Sequence, residues 1–139
     1  MKHSIKAEWT GDMAFETKLN GHKLIMDAAE ENGGHDLGPR PKILMLAALA
    51  GCTGMDVVSI LRKMRVDIEK CNVYVEADMT EEHPKQYNRM HVIYEVTGKN
   101  LMLEKIEKAV RMSEETYCGV GAVYRKVMEV NSEIRLIEI

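Results

Sequence analysis

Residues 38–64 read GPRPKILMLAALAGCTGMDVVSILRKM, and this stretch decides the fold. Between Leu44 and Leu61 it carries one charge, Asp56, while alanine and glycine crowd the part that leads to Cys52. A helix that is apolar nearly all round is buried on most of its circumference. The sequence therefore predicts a buried central helix over residues 41–64, with a thiol shielded from water inside it.

Strand patterns lie on both sides of this helix. Before it, residues 1–26 alternate apolar and polar side chains, and Asn20-Gly21 indicates a hairpin, so a three-stranded meander is predicted there. Residues 27–40, rich in glycine and proline, predict a loop. After the helix, residues 67–139 predict two long strands, two helices and a closing strand.

The length favours one domain over residues 1–139. The net charge of −3, with acids and bases interspersed, offers nucleic acid no basic stripe. Three cysteines and no apolar leader predict a reducing, cytoplasmic location. Thr53, Asp56 and Ser59 interrupt the apolar helix, which argues against a membrane span. Neither a metal nor a cofactor is expected, because no Cys or His residues have the spacing of zinc ligands.

The central helix has no polar face, and one twisted sheet cannot cover it alone. A second copy of the chain is the simplest way to bury this helix, with the two helices packed through their alanines and glycines. We therefore expect an intertwined homodimer in which antiparallel sheets wrap around two long buried central helices.

The three cysteines differ in their surroundings. Cys52 lies in the apolar helix, and Cys118 lies early in a later helix that Ser113 is expected to cap. Buried free cysteine usually only fills space, and Cys71, on the apolar side of a strand, is assigned to the core on that ground. For the other two, redox chemistry is the competing interpretation: a thiolate at Cys52 would reduce a peroxide, and Cys118 would resolve the sulfenic acid as a disulfide.

A thiolate in an apolar helix needs a cation nearby, because burial disfavours the charged form. Cys52 is too far from the start of the helix for the helix dipole to help. Arg40 and Lys42 are the candidates within the chain, and a residue of a partner chain is the other source. A solvated surface charge is the alternative interpretation for both.

The chain resembles the OsmC/Ohr family, the osmotically inducible protein C and organic hydroperoxide resistance proteins. The resemblance extends over nearly the whole chain, through LIMD, GPRPKILMLAALAGC, DVVSILRK, EHP and AVRMSEETYCGV. It implies an α+β fold, an obligate intertwined homodimer with sites at the subunit interface, and thiol-dependent reduction of organic hydroperoxides.

Carried over to this sequence, the resemblance implies that Cys52 is the peroxidatic cysteine and Cys118 the resolving one. Two partner groups differ from the family's peroxidases. Lys42 stands where those proteins have a glutamate after the helix-opening proline, and residues 1–39 contain no arginine to hold the thiolate. Arg40 is the nearest substitute and is predicted to stabilise the thiolate.

Two functions therefore compete. The first is a cysteine-based organic hydroperoxide reductase in oxidative stress defence. A dithiol reductant such as a lipoylated protein would recycle it, and this expectation rests on the resemblance alone. The second is a non-catalytic or weakly catalytic redox sensor or apolar-ligand-binding protein with the same fold. The two retained cysteines favour the enzyme, whereas the missing glutamate favours the binding protein.

Overall fold

The computed structural model describes residues 1–139. The chain forms two compact units, residues 1–45 and residues 46–139. The single functional domain expected from the sequence stays a prediction. Two three-stranded sheets and three helices make a mixed α+β fold, as predicted.

The first unit contains a three-stranded antiparallel sheet in the order β1 (Ala7–Gly11), β2 (Ala14–Leu19) and β3 (His22–Met26). Asn20 and Gly21 join the last two strands with φ values of 52° and 83°. Positive φ at both central positions is what a tight hairpin turn between twisted strands requires. The predicted meander is confirmed.

Helix α1 (Leu44–Lys63) begins three residues after Pro41, which lies in a turn. Its buried side chains recur about every four residues and are Leu49, Thr53, Val57, Ile60 and Leu61. Much of the remaining surface is apolar and open. By length and composition alone α1 could cross a membrane, with a mean hydropathy of 1.9. One such helix is weak evidence, since core helices of soluble proteins pass the same test.

The second unit contains a sheet in the order β4 (Lys70–Met79), β5 (Tyr87–Gly98) and β6 (Glu129–Glu138). The first two strands are antiparallel, but β6 runs parallel to β5. The expectation of purely antiparallel sheets is therefore wrong at this strand. A parallel pair needs a long crossover, and the helical segment between the two strands supplies it.

That crossover consists of α2 (Leu103–Met112), a π-helical turn (Ser113–Tyr117) and α3 (Gly119–Arg125). Ser113 has helical backbone angles that continue α2 without a break, so the prediction that it caps the next helix is wrong. The cap of α3 is Cys118, which has an extended backbone and accepts a hydrogen bond from the amide of Gly121.

The core of the second unit lies against β5, which is buried over most of its length. Its central residues are almost inaccessible, as are side chains from α1 and α2: Leu49, Val57, Leu61, Met90, Val92, Tyr94, Val96, Ile106 and Ala109. Along β4 the predicted alternation is present, but its apolar side is only half-buried in the single chain. Cys71 lies on that side, so its assignment to the core is wrong for the single chain.

Candidate thiol site

Cys52 and Cys118 come together in the second unit. Asp56 follows Cys52 by one helical turn and lies on the same face of α1. The two sulfur atoms and a carboxylate oxygen of Asp56 all lie within 4.8 Å of one another. The structure thus unites the two cysteines singled out in the sequence, here called the cysteine pair, and adds a carboxyl group that sequence reasoning missed.

The two members of the cysteine pair have unequal access to solvent. Cys52 is half-buried, whereas Cys118 is 3% exposed. The pKa of Cys118 is raised to about 11, chiefly by burial and also by the contact with Cys52, against the hydrogen bond from the Gly121 amide, which lowers it. Cys118 is therefore a neutral thiol at pH 7, and Cys52 is the sulfur that an incoming molecule can reach.

A glycine in the first turn of α3 leaves the room that the end of the Arg125 side chain occupies. A Cβ atom on Gly121 would lie 3.4 Å from the Cys118 sulfur and 2.7 Å from Nη1 of Arg125. The second distance is shorter than Cβ atoms tolerate, so a larger residue would displace the arginine. Arg125 is held there by a hydrogen bond from Nη1 to the backbone oxygen of Glu114, 3.2 Å away.

A row of three buried hydroxyl groups lies beneath Asp56, here called the hydroxyl chain: Ser113, Thr53 and Tyr94. Ser113 Oγ donates to Asp56 Oδ2 at 2.9 Å and lies 2.8 Å from Thr53 Oγ1. Thr53 Oγ1 lies 2.7 Å from the Tyr94 hydroxyl, which reaches Glu114 Oε1 at 3.2 Å. The hydroxyl chain therefore joins two carboxyl groups, one of them beside the cysteine pair.

Sequence reasoning missed both Asp56 and the hydroxyl chain, for different reasons at the different residues. Asp56 could have been found, because four residues after Cys52 is one turn of a helix. Ser113 precedes two glutamates, a pattern typical of a helix start, and that local signal concealed its tertiary role. Tyr94 shows only as one apolar position in an alternating strand.

Arg40 makes its contacts in the loop before α1. Its Nη1 donates to Asp36 Oδ1 at 2.8 Å and to the backbone oxygen of Gly38 at 3.0 Å. Asp27 organises the same loop by accepting hydrogen bonds from the amides of His35 and Leu37. The predicted role of Arg40 as thiolate stabiliser stays a prediction.

Two grooves border the second-unit part of α1. The first, here called the helix groove, has a volume of about 720 Å³ and is lined by Ala50, Gly51, Gly54, Met55, Val58, Ser59, Arg62, Lys63, Cys71 and Val73. The second, here called the methionine groove, has a volume of about 370 Å³ and is lined by Asp56, Ser59, Ile60, Lys63, Met64, Lys108, Met112 and Tyr117. Asp56 lines the methionine groove, so this groove borders the carboxyl group that lies beside the cysteine pair.

The cysteine pair and Asp56 offer three of the four ligands that a closed zinc site takes. The arrangement also supports the chemistry of thiols. Two sulfur atoms at this separation need only a small movement to form a disulfide, whose bond length is about 2.05 Å.

Comparison with known proteins places the chain among relatives that share its fold. The family model for OsmC-like proteins matches residues 33–133. Protein YhfA of Escherichia coli is 31% identical over 133 residues, which make up 95% of this chain and 96% of YhfA. Together the two matches cover the cysteine pair and most of both units.

Solved structures of other proteins have the same fold as this chain. A hypothetical protein from Aquifex aeolicus has a TM-score of 0.84 at 24% identity, over 99% of this chain and all of that one. The organic hydroperoxide resistance protein OhrB of Bacillus subtilis has a TM-score of 0.65 at 18% identity, over 97% of this chain and 98% of that one. At these identities the likeness is one of fold. With the family model spanning more than two thirds of its residues, the chain belongs to the OsmC-like protein family.

Proposed function

We propose that the protein is a thiol-dependent peroxidase that reduces organic hydroperoxides and serves in oxidative stress defence. The observation that carries the proposal is the cysteine pair, with its two sulfur atoms within 4.8 Å of each other. One sulfur is accessible and the other is buried and neutral, which suits a peroxidatic and a resolving role respectively. Cys52 is assigned the first role and Cys118 the second.

The reaction balances with these groups. The thiolate of Cys52 attacks the outer oxygen of the hydroperoxide, so an S–O bond forms, the O–O bond breaks, and the alkoxide leaves and takes up a proton. The sulfenic acid of Cys52 then condenses with the thiol of Cys118, forming the disulfide and releasing water. A dithiol reductant restores both thiols by exchange and is itself oxidised to a disulfide.

The methionine groove supports an organic substrate. Its walls are largely apolar, with Ile60, Met64 and Met112 beside Asp56. An alkyl group buried there gains about 25 cal/mol for each Å² removed from water, whereas hydrogen peroxide has no such surface. Organic hydroperoxides should therefore react faster than hydrogen peroxide.

We further propose that the protein acts as a cytoplasmic homodimer. The helix groove leaves apolar and small side chains of α1 open to solvent within one protomer, and Met55 is 76% exposed. Gly51 has no neighbouring atom within 4 Å of its Cβ direction, which leaves room for a close helix contact. A second copy of α1 is the occupant that this surface fits. No nucleic acid or membrane partner is proposed.

A second candidate is a redox sensor or apolar-ligand-binding protein with little catalytic activity. It is favoured by Lys42, which stands where the peroxidases of the family have a glutamate. In this case the methionine groove would hold a ligand that is not consumed, and oxidation of the cysteine pair would change its binding.

Steady-state reduction of cumene hydroperoxide with dihydrolipoamide separates the two candidates. The peroxidase proposal expects turnover by the wild type, none by Cys52→Ser, and a single oxidation without turnover by Cys118→Ser. Hydrogen peroxide in place of the cumene compound should react more slowly. A folded wild-type protein that shows no turnover with either peroxide would contradict the proposal and favour the binding protein.

A further inference from the structure

The thiol site has the donor atoms of a metal centre. Cys52, Asp56 and Cys118 contribute one donor atom each, and all three atoms lie within 4.8 Å of one another. Around a tetrahedral Zn²⁺ ion, sulfur and oxygen ligands lie about 3.5 to 3.8 Å apart, so the three atoms have to close by little more than about 1 Å to share an ion. The absence of zinc-ligand spacing along the sequence does not bear on this set, because Cys118 joins the other two only through the crossover between β5 and β6.

Two hydrogen bonds hold these ligands in the manner typical of metal centres. Ser113 Oγ donates to Asp56 Oδ2 at 2.9 Å, and the backbone amide of Gly121 donates to Cys118 Sγ at 3.3 Å. Outer hydrogen bonds of this kind orient metal ligands. Ser113 Oγ also lies 2.8 Å from Thr53 Oγ1, so the group that orients the carboxylate is itself fixed. A carboxylate has about four lone-pair sites, and one accepted hydrogen bond leaves Asp56 able to bind an ion.

The donor set selects the class of ion. Mg²⁺ and Ca²⁺ prefer oxygen ligands, whereas thiolates favour softer ions, and Zn²⁺ accepts both sulfur and carboxylate oxygen in tetrahedral sites. Zinc sites with three protein ligands keep water or substrate in the fourth position. We propose that the reduced cysteine pair and Asp56 bind one Zn²⁺ ion, with a water molecule as the fourth ligand.

The exposure of the ligands and the charges around them suit this ion. Cys52 and Asp56 are half-buried, whereas Cys118 is 3% exposed, so solvent and the fourth ligand reach the ion past the first two. Two thiolates, one carboxylate and a divalent cation leave a single net negative charge. Lys63 and Lys108 line the methionine groove together with Asp56, where their positive charge favours that state.

Zinc binding and disulfide formation exclude each other. The two thiols release their protons to solvent when their sulfur atoms coordinate the ion, and a disulfide has no thiolate to offer. Under the proposed peroxidase function, on which this consequence rests, the bound ion occupies the lone pair with which Cys52 attacks a hydroperoxide. Zn²⁺ is then a reversible inhibitor of the reduced protein and does not bind the disulfide form.

Titration of the reduced protein with Co²⁺ tests the site without any assay of activity. Co²⁺ takes the place of Zn²⁺ in tetrahedral sites, and thiolate ligands give it a sulfur-to-metal charge-transfer absorption. This absorption should saturate at one ion per chain, and Zn²⁺, which binds such ligands more tightly, should remove it. The protein with the cysteine pair oxidised should give none. A reduced wild-type protein without the absorption would overturn the proposal.

Substitution of the ligands separates this site from casual binding to thiols. Cys52→Ser and Cys118→Ser should each abolish saturation at one ion per chain, whereas Cys71→Ser should leave it unchanged. Asp56→Asn replaces the charged ligand by a group of the same shape, and it should weaken Zn²⁺ binding in competition with a chromophoric chelator. Wild-type affinity in Asp56→Asn would overturn the assignment of the third ligand.

Substitution in the hydroxyl chain tests the outer hydrogen bond. Ser113→Ala removes the donor to Asp56 and should weaken Zn²⁺ binding by roughly 10- to 100-fold. Tyr94→Phe removes a hydroxyl group of the same chain that does not touch a ligand, so it is the matched control and should leave the affinity almost unchanged. Equal losses in the two variants would mean that the hydroxyl chain acts on the fold and not on the metal site.

Failure of the zinc site and failure of the peroxidase proposal are distinguishable. Saturable Co²⁺ binding by a wild-type protein that shows no peroxide turnover would support the site and contradict the peroxidase. Turnover by a protein that binds no Co²⁺ would leave the peroxidase in place and overturn the site. Where both hold, Zn²⁺ should slow oxidation of Cys52 by cumene hydroperoxide, and Asp56→Asn should need more Zn²⁺ for the same inhibition.

Discussion

The two faces of α1 are equally apolar in sequence but differ in what they touch. Val57 and Leu61 are inaccessible in the core of the second unit, whereas Ala48 and Met55 on other sides of the helix are exposed. Cys52 and Asp56, both half-buried, lie between the two. Apolar composition alone thus cannot distinguish a surface that packs against its own chain from one that stays open in the single chain, and the thiol site lies on the border between them.

The largest expected effect comes from a charge on the exposed face. Met55→Asp should weaken a dimer that covers the helix groove, because an unpaired charge buried at an interface costs about 3–5 kcal/mol. Sedimentation should show the dimer dissociation constant raised by roughly 10²- to 10⁴-fold. Leu103→Asp, an equally drastic change at an exposed position on α2, is the control and should leave the dimer intact. A wild-type protein that sediments as a folded monomer would refute the dimer.

Truncation of a side chain on the buried face of α1 should lower the stability of the fold rather than weaken the dimer. Leu61→Ala removes a fully buried side chain and should lower the free energy of unfolding by about 2–5 kcal/mol. Val123→Ala, at a position 60% exposed, should change it by less than about 0.5 kcal/mol. Urea denaturation measures both, and equal effects of the two substitutions would mean that burial of the side chain does not decide the cost of truncating it.

The reactivity of the three thiols measures how accessible each side of this border is. Cys52 should react first with iodoacetamide at pH 8, while Cys118, with a pKa raised to about 11 by burial, should react only as the pH approaches that value or after unfolding. Cys71 lines the helix groove, so it should be protected in the dimer and reactive in Met55→Asp. Mass spectrometry of the alkylated peptides gives all three rates. Equal reactivity of Cys71 in both proteins would place the partner elsewhere.

Mild oxidation should join Cys52 to Cys118 within one chain and leave Cys71 reduced. The reason is proximity, since the cysteine pair is already within 4.8 Å. Peptide mapping after treatment with an alkyl hydroperoxide should find that linkage, and a bridge that includes Cys71 would contradict it.

The smallest effect is expected at Arg40. Its side chain is 43% exposed and already paired with Asp36, so its influence on a thiolate is screened. Arg40→Met should slow alkylation of Cys52 at pH 7 by less than about tenfold. A tenfold change would correspond to a rise of about one unit in the pKa of the thiol. Lys42→Met, the neighbouring cation, is the control. An unchanged rate in Arg40→Met would mean that activation of the thiol comes from another group.

Patterns that depend on near neighbours could be predicted from the sequence. The Asn20-Gly21 hairpin, the alternation of β4 and β5, and the long apolar helix all follow from local chemistry. The direction of β6 did not follow, because an alternating strand reads the same in a parallel or an antiparallel pair. The clue was the helical segment before it, which is long enough for a parallel crossover.

The candidate site was predictable in its thiols and unpredictable in its support. Cys52 and Cys118 stood out through their small and apolar neighbours. Ser113, Thr53 and Tyr94 acquire their role only because α1, β5 and the π-helical turn meet, and nothing local marks a hydroxyl group that will be buried beside another. The assignment of Cys71 to the core was wrong for a different reason. The predicted alternation of its strand is correct, but nothing in the single chain fully covers that side of the strand.

The parallel pairing of β6 with β5 also sets the order in which the thiol site can be assembled during synthesis. A nascent chain that has emerged only through β5 already contains Cys52 and Cys71, but Cys118 follows in the crossover that β6 fixes in place. Contacts between distant parts of a chain form slowly, because the loop between them must close first. Complete docking of the crossover is thus a late event, and a truncated or stalled chain would carry thiols without the buried partner that gives them their chemistry.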